Sequence, residues 1–74
     1  MASDNKIFGA KATFQYNIKG VEKDIQVGAK SHFGKNELEW KTSLYDDAIV
    51  AVSEQEKISK EAVEICLTAF EPIS

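Results

Sequence analysis

Arginine is absent from this 74-residue chain, and histidine, cysteine, proline and tryptophan each occur once. A single cysteine cannot form a disulfide within the chain, and Cys66 with His32 cannot supply the four ligands of a structural zinc site. Glycine-rich phosphate loops, nucleotide fingerprints and metal-ligand clusters are also missing from the sequence. We therefore expect no cofactor and no bound metal. Because arginine is the usual bidentate reader of guanine and phosphate, its absence weakens a nucleic-acid-binding interpretation.

Long apolar runs are missing too. The longest is residues 48–52, far short of the about 20 residues that cross a bilayer. The first residues lack the basic start and apolar stretch of a secretion signal. We therefore predict a cytoplasmic protein without a membrane segment.

The length predicts one domain, residues 1–74, with residues 1–5 frayed. The composition, 43% hydrophobic and 28% charged, is typical of a globular protein. Burying apolar surface stabilises the folded state by about 25 cal/mol per Å², and ordering the chain costs about 1.5 kcal/mol of conformational entropy per residue. In so small a chain the two free energies roughly cancel. Burying further surface in a dimer is a common remedy, so self-association is expected. Charge is unevenly divided: residues 1–35 carry +3 and residues 36–74 carry -6, so the two halves attract each other.

Residues 11–18 alternate apolar and polar side chains, which predicts a strand with one apolar face. Gly20 is the second residue of a two-residue loop, as tight hairpin turns require. That turn joins residues 21–33 as a second strand and places Phe14 opposite Ile25, apolar against apolar. A slip of one residue would turn every side chain to the other face, so the pattern specifies this register.

The same reasoning predicts a second hairpin turn at Gly34-Lys35 and a third strand over residues 36–43. In this register Leu38 and Trp40 join the apolar face. On the polar face, residues of potentially opposite charge pair: His32 with Glu37, and Lys30 with Glu39.

The C-terminal half is predicted to be helical, with Ser43 capping a helix over residues 44–54 and a second helix over residues 59–71. The predicted fold is therefore α+β, a three-stranded antiparallel meander covered on one face by helices, in the order β-β-β-α-α. The alternative is β-β-β-β-α, since residues 48–52 are also β-rich and periodicity cannot decide so short a run. In either case we expect a core formed by Trp40, Phe14, Tyr16, Ile25, Leu38, Cys66 and Phe70.

Catalytic residues are not predicted, so the chain is not expected to be an enzyme. His32 falls on the solvent face without a second histidine or a nucleophile beside it. Cys66 lies in the apolar stripe of the second helix, where a small buried hydrophobe belongs and a reactive thiolate does not.

Apolar residues exceed what the predicted core needs around residues 48–52, and a three-stranded sheet also leaves two edges that proteins use for pairing. Tyr45, Ile49 and Val50 are therefore the candidate interface. We predict a small non-enzymatic protein-protein interaction module that forms a homodimer, such as an accessory or inhibitor subunit.

The alternative is a nucleic-acid-binding domain that uses the lysine-rich hairpins, with Lys30, His32 and Lys35 as the contacts. A solvated hairpin explains these residues equally well, and a net charge of -3 repels polyanions. Nucleic acid is therefore the less favoured partner.

Overall fold

The computed structural model describes residues 6–73. The elements are β1 (Ile7–Ile18), β2 (Val21–Lys35), α1 (Glu37–Glu56), a single 3-10 turn (Lys60–Ala62) and β3 (Ile65–Pro72). The strands form one antiparallel sheet in the order β2-β1-β3, and α1 packs on one face of it. The α+β class with a three-stranded antiparallel sheet is thus confirmed. Within the described residues, no helix is long and apolar enough to cross a membrane. Residues 1–5, predicted to be frayed, lie outside the described part of the chain.

The first hairpin has the predicted register, with Phe14 opposite Ile25. Both turn residues, Lys19 and Gly20, adopt positive φ angles of 53° and 81°, as the tightest hairpin turns require. The Asn17 side chain accepts a hydrogen bond from the Gly20 N–H at 3.0 Å. Alternation and turn chemistry together therefore determine this part of the fold.

The predicted third strand, residues 36–43, is wrong, because this segment begins α1. The Asn36 side chain accepts a hydrogen bond from the backbone N–H of Glu39 at 2.8 Å, and the Glu39 carboxylate accepts one from the backbone N–H of Asn36 at 3.1 Å. This reciprocal cap satisfies two backbone donors that a helix start leaves free. The predicted Gly34-Lys35 hairpin therefore does not form.

Helix α1 continues without interruption for 20 residues. Ser43, the predicted cap, therefore lies inside the helix, as do residues 48–52, so the alternative fourth strand is wrong. Glu37 pairs instead with Lys41, one helical turn away, at 2.7 Å, and the predicted pairing of Glu37 and Glu39 with β2 is wrong as well. A spacing of four residues places the main buried side chains on one stripe: Trp40, Leu44, Ala48 and Val52.

The predicted helix over residues 59–71 is also wrong. Apart from one 3-10 turn, this segment forms β3, which pairs antiparallel with β1 and places Leu67 opposite Phe14. The predicted meander placed the second strand at the centre and left this edge of β1 open. In the structure β3 satisfies the backbone groups of that edge, so β1 is the central strand. The register shifts by one residue at Thr68, whose hydroxyl donates a hydrogen bond to the Thr13 carbonyl at 3.1 Å.

The core lies between α1 and the central strand β1. Trp40, Phe14 and Tyr16 are buried as predicted, and Ile25 and Phe70 are half-buried against them. The prediction of a buried position is wrong for two residues of the expected core. Leu38 is 73% exposed, because two residues turn a helix by about 200° and carry it away from the stripe of Trp40. Cys66 is exposed, because it lies on a strand and shares the face of Gln15, turned away from the helix.

Candidate protein interaction surface

A groove separates α1 from β3. The helix packs mainly on β2 and β1 and has few contacts with β3. A groove of about 250 Å³ follows from this offset, lined by Phe14, Lys41, Thr42, Tyr45 and Leu67. Tyr45 and Leu67 remain exposed along it. One side of the helix and the outer strand of the sheet thus present a continuous, mostly apolar surface.

Aromatic contacts fix the geometry of this groove. The rings of Phe14 and Tyr45 meet edge to face, with centroids 5.8 Å apart and an interplanar angle of 76°. The Lys41 ammonium lies 5.4 Å from the centroid of the Phe70 ring, within the range of a cation-π contact. Lys41 is also bound by Glu37, so the cation at the groove mouth is already neutralised.

The outer edge of β3 borders the groove. Among the described residues, no strand pairs with this edge. Its sequence from Ile65 to Phe70 contains no charge. The next residue, Glu71, is paired with Lys11 of the neighbouring strand at 3.3 Å. Charged side chains, bulges and prolines usually protect a free edge from pairing. This edge has one bulge, at Thr68, and its charged residue and its proline stand only at the end of the strand.

The outer edge of β2 differs in this respect. Its register is irregular where β1 shifts between Ile7 and Gly9. The strand also carries five charged side chains, namely Glu22, Lys23, Asp24, Lys30 and Lys35. Both features discourage the addition of another strand. Because β3 also has a register shift, the two sheet edges differ in their charge, and β3 is the less protected edge.

The candidate interface residues named from the sequence do not form one patch. Tyr45 lines the groove, and Ile49, one turn further along the helix, is half-buried against the core around Tyr16. Val50 is exposed but lies about 140° around the helix from Tyr45. Only Tyr45 therefore belongs to the groove surface.

The candidate nucleic-acid contacts lie in the C-terminal part of β2. Lys30 and His32 are exposed, two residues apart, and line a shallow depression with Phe8 and Ser31. Lys35 is half-buried, and its ammonium lies 4.8 Å from the centroid of the Trp40 ring. This contact holds Lys35 against the core, so two of the three side chains project freely.

Sequence reasoning missed several exposed apolar side chains near the junction of β2 and α1. Phe33 is 86% exposed, and Phe8 is also exposed. Gly34, with φ of 72°, packs closely under the Phe8 ring, where an added Cβ would approach within 3.0 Å. These residues were missed because a hairpin turn was predicted at Gly34. The three-residue spacing of Asn36 and Glu39, typical of a capping box, could have predicted the helix start instead.

A polar network joins the far end of α1 to the hairpin. The Tyr16 hydroxyl donates a hydrogen bond to Glu56 at 3.1 Å, Lys23 donates one to the same oxygen at 2.9 Å, and Gln55 donates one to the hydroxyl at 3.3 Å. The hydrogen bond from Lys23 is the main cause that lowers the pKa of Glu56. Burial of the Tyr16 hydroxyl and its contact with the Glu56 carboxylate raise the pKa of Tyr16. The hydrogen bond to Glu56 raises the pKa of Lys23. These groups satisfy one another, as a structural cluster does.

Within residues 6–73, no group of three or more His, Cys, Asp or Glu side chains is placed to hold a metal ion. His32 and Cys66 are both exposed and lie on the two outer strands, separated by β1. A nucleophile with a neighbouring base, the usual minimum for covalent catalysis, is not formed by these two residues.

Comparisons with known protein families, with curated proteins and with solved structures returned no significant match. Function must therefore be inferred from the surface itself.

Proposed function

We propose that this protein is a small, non-enzymatic interaction module that binds a second copy of itself. The observation that carries the proposal is the apolar groove of Tyr45 and Leu67 beside the outer edge of β3, which has no charge from Ile65 to Phe70. Monomeric proteins usually cover such edges, and apolar surface next to a free edge marks a binding site.

The shape of the molecule supports this proposal. The Cα atoms extend over 46 × 19 × 19 Å, so one helix and three strands enclose a long, thin core. Thin domains of this size bury a small fraction of their surface, and their stability is marginal. A second copy that covers the groove raises the buried fraction and stabilises the folded state by mass action.

Sedimentation velocity over about 1 to 100 μM protein tests the proposal, because a dimer dissociates on dilution. We expect a species of twice the 8.2 kDa monomer mass at the upper end of the range, and dissociation towards the lower end. Contacts that are mainly apolar should persist at high salt, where surface ion pairs are screened. A monomer at every concentration would contradict the proposal. If the monomer also bound labelled DNA or RNA at low salt only, the nucleic-acid alternative would replace it.

We also propose a cytoplasmic location. The support is the exposed thiol of Cys66, since a reducing compartment keeps such a thiol unpaired. Fluorescence microscopy of a tagged chain, with fractionation of the host cell, would test it. Recovery from an oxidising compartment as a Cys66-linked disulfide dimer would contradict it.

A further inference from the structure

We infer that the second copy binds edge to edge, so that β3 pairs antiparallel with β3 of the other copy. The product is one six-stranded sheet in the order β2-β1-β3-β3-β1-β2. This inference rests on the proposed function and adds to it the surface that the two copies share.

The charge distribution along β3 favours pairing with itself. The strand has one charged residue, Glu71, near its end. In an antiparallel pair the two Glu71 residues lie at opposite ends, and each keeps its own Lys11 partner at 3.3 Å. Like charges therefore do not meet across the new ladder. Pro72 has no backbone N–H and ends the pairing there.

The two grooves also meet in this arrangement. A twofold axis perpendicular to the sheet relates two antiparallel edge strands and places both helices on the same side. Tyr45 and Leu67 of one copy then face the same residues of the other across the β3 pair. The shared surface is self-complementary, as an isologous interface must be.

The spacing of the helices fits a layer of side chains between them. Helix α1 lies over β1 and β2, away from β3. With strands about 4.8 Å apart, the two helix axes are roughly 20 Å apart in the six-stranded sheet. Helices have diameters of about 10 Å with their side chains included, so a trough about 10 Å wide remains over the paired β3 strands. Leu67 and Phe70 of both copies lie on the floor of this trough, and the two Tyr45 side chains lie on its walls.

The open face of β3 does not obstruct the pairing. Its exposed residues there include Cys66 and Ala69, which lie opposite Gln15 and Thr13 of β1. They are small and uncharged. This face stays in solvent when the edges join, so Cys66 remains accessible in the dimer.

Cys66 therefore provides a native probe, since it is the single cysteine of the chain. A nitroxide label at Cys66 reports the separation of the two β3 strands in the dimer. Pairing along the whole of β3 places Cys66 opposite Glu71 of the other copy, and the two Cys66 Cα atoms are then roughly 18 Å apart. Pairing of β2 separates the β3 strands by five strand spacings, at least about 24 Å. We expect dipolar broadening that disappears when labelled protein is diluted with unlabelled protein.

The matched label control is Cys66→Ser combined with Gln26→Cys. Gln26 is exposed on β2 and lies on the same sheet face, opposite Thr13. In the six-stranded sheet the two β2 strands are the outermost strands, so a label at residue 26 should show no broadening. Broadening at residue 26 without broadening at Cys66 would mean that β2 pairs instead. The proposed function would then stand, and the β3 inference would be overturned.

Two lysine substitutions with matched exposure provide a second test. Leu67 and Val50 are 38% and 37% exposed, but only Leu67 lies at the β3 groove. We expect Leu67→Lys to weaken the dimer by at least about tenfold, because a charge would enter the apolar contact, and Val50→Lys to leave it nearly unchanged. The reverse result would assign the interface to the Val50 side of the helix and overturn the inference.

Ala69→Lys keeps the test valid if Leu67→Lys fails to fold. Ala69 is exposed on the open face and contributes nothing to the core, so its replacement should leave the circular dichroism spectrum native. Ala69 lies at the middle of the β3 pair, so the two introduced lysines would be neighbours and would repel each other, and we expect a weaker dimer. A native Ala69→Lys dimer as tight as the parent would contradict the inference. A parent chain that is monomeric throughout would overturn both the inference and the proposed function.

Discussion

The indole nitrogen of Trp40 donates a hydrogen bond to the backbone carbonyl of Ile7 at 2.6 Å. This bond joins the first residue of the central strand to the start of the helix. Lys35, at the end of β2, lies over the same ring. One side chain therefore joins three consecutive elements, β1, β2 and α1.

Replacing Trp40 with phenylalanine removes this hydrogen bond and keeps most of the ring. We expect the free energy of unfolding to fall by about 1 to 3 kcal/mol, because the Ile7 carbonyl loses its indole partner in a part-buried site. Urea unfolding followed by circular dichroism measures the change. Tyr45→Phe, which alters an exposed aromatic residue, should change stability by less than about 0.5 kcal/mol. Equal stability of Trp40→Phe and the parent would contradict the role given to this bond.

The cap at Asn36 gives a second prediction. Asn36→Ala removes the acceptor of the Glu39 N–H and should lower the free energy of unfolding by about 1 kcal/mol. Asn36→Asp keeps an acceptor oxygen at the same position and should retain most of the stability. Urea unfolding of the two variants compares them directly. If alanine were tolerated without loss, residues 36–43 would not start a helix there.

The first hairpin could be predicted from the sequence because two local signals agree there. The alternation of residues 11–18 sets the faces, and the Lys19-Gly20 turn sets the register. Both signals lie within a few residues of the contacts that they specify, so nothing distant can override them.

The segment that follows carries two conflicting local signals. Leu38 and Trp40 alternate as in a strand, and Gly34 offers a hairpin turn. The competing signal, Asn36 followed three residues later by Glu39, is the capping box that the structure uses. Spacing of four residues from Trp40 through Leu44 also indicated a helix. The capping box decides the outcome because it satisfies backbone donors that a strand at the sheet edge would leave open.

The end of the chain could not be predicted locally. Ile65 to Phe70 fits a short strand or part of a buried helix, and periodicity does not separate them. The deciding contact is with β1, about 50 residues earlier in the sequence. The strand predicted for residues 36–43 would have paired with β2, so this edge of β1 was open in either interpretation, and no local signal assigned β3 to it. The apolar groove depends on the same choice, so the sequence alone pointed to Tyr45 but missed Leu67.

Leu44 and Leu38 distinguish the helix of the structure from the strand predicted for residues 36–43. Leu44 is fully buried in the core cluster, whereas Leu38 is exposed. Leu44→Ala should lower the free energy of unfolding by about 2 to 5 kcal/mol, because it leaves a cavity, and Leu38→Ala by less than about 0.5 kcal/mol. Thermal or urea unfolding of both variants measures the difference. A large loss from Leu38→Ala would restore the strand predicted for residues 36–43.

The network around Glu56 makes stability depend on pH at both extremes. The hydrogen bond from Lys23, aided by that from Tyr16, holds the pKa of Glu56 in the folded chain below its ordinary 4.5. The folded state therefore binds fewer protons than the unfolded chain near that pH, and the contribution of Glu56 disappears as pH falls through its lowered pKa. For Lys23 and Tyr16 the folded pKa is raised, so their contributions are complete below the ordinary values and disappear as pH rises through the raised ones.

Glu56→Gln should therefore be less stable than the parent at about pH 7, and the difference should close as the pH falls through the lowered pKa of Glu56, where the parent carboxylate also becomes neutral. Urea midpoints of both proteins across this range measure the closing difference. Glu54→Gln, an exposed change two residues away, serves as the control for a general loss of negative charge. A difference that stayed constant with pH would mean that Glu56 acts only through packing. The Lys23 and Tyr16 contacts would then lack the electrostatic role assigned to them.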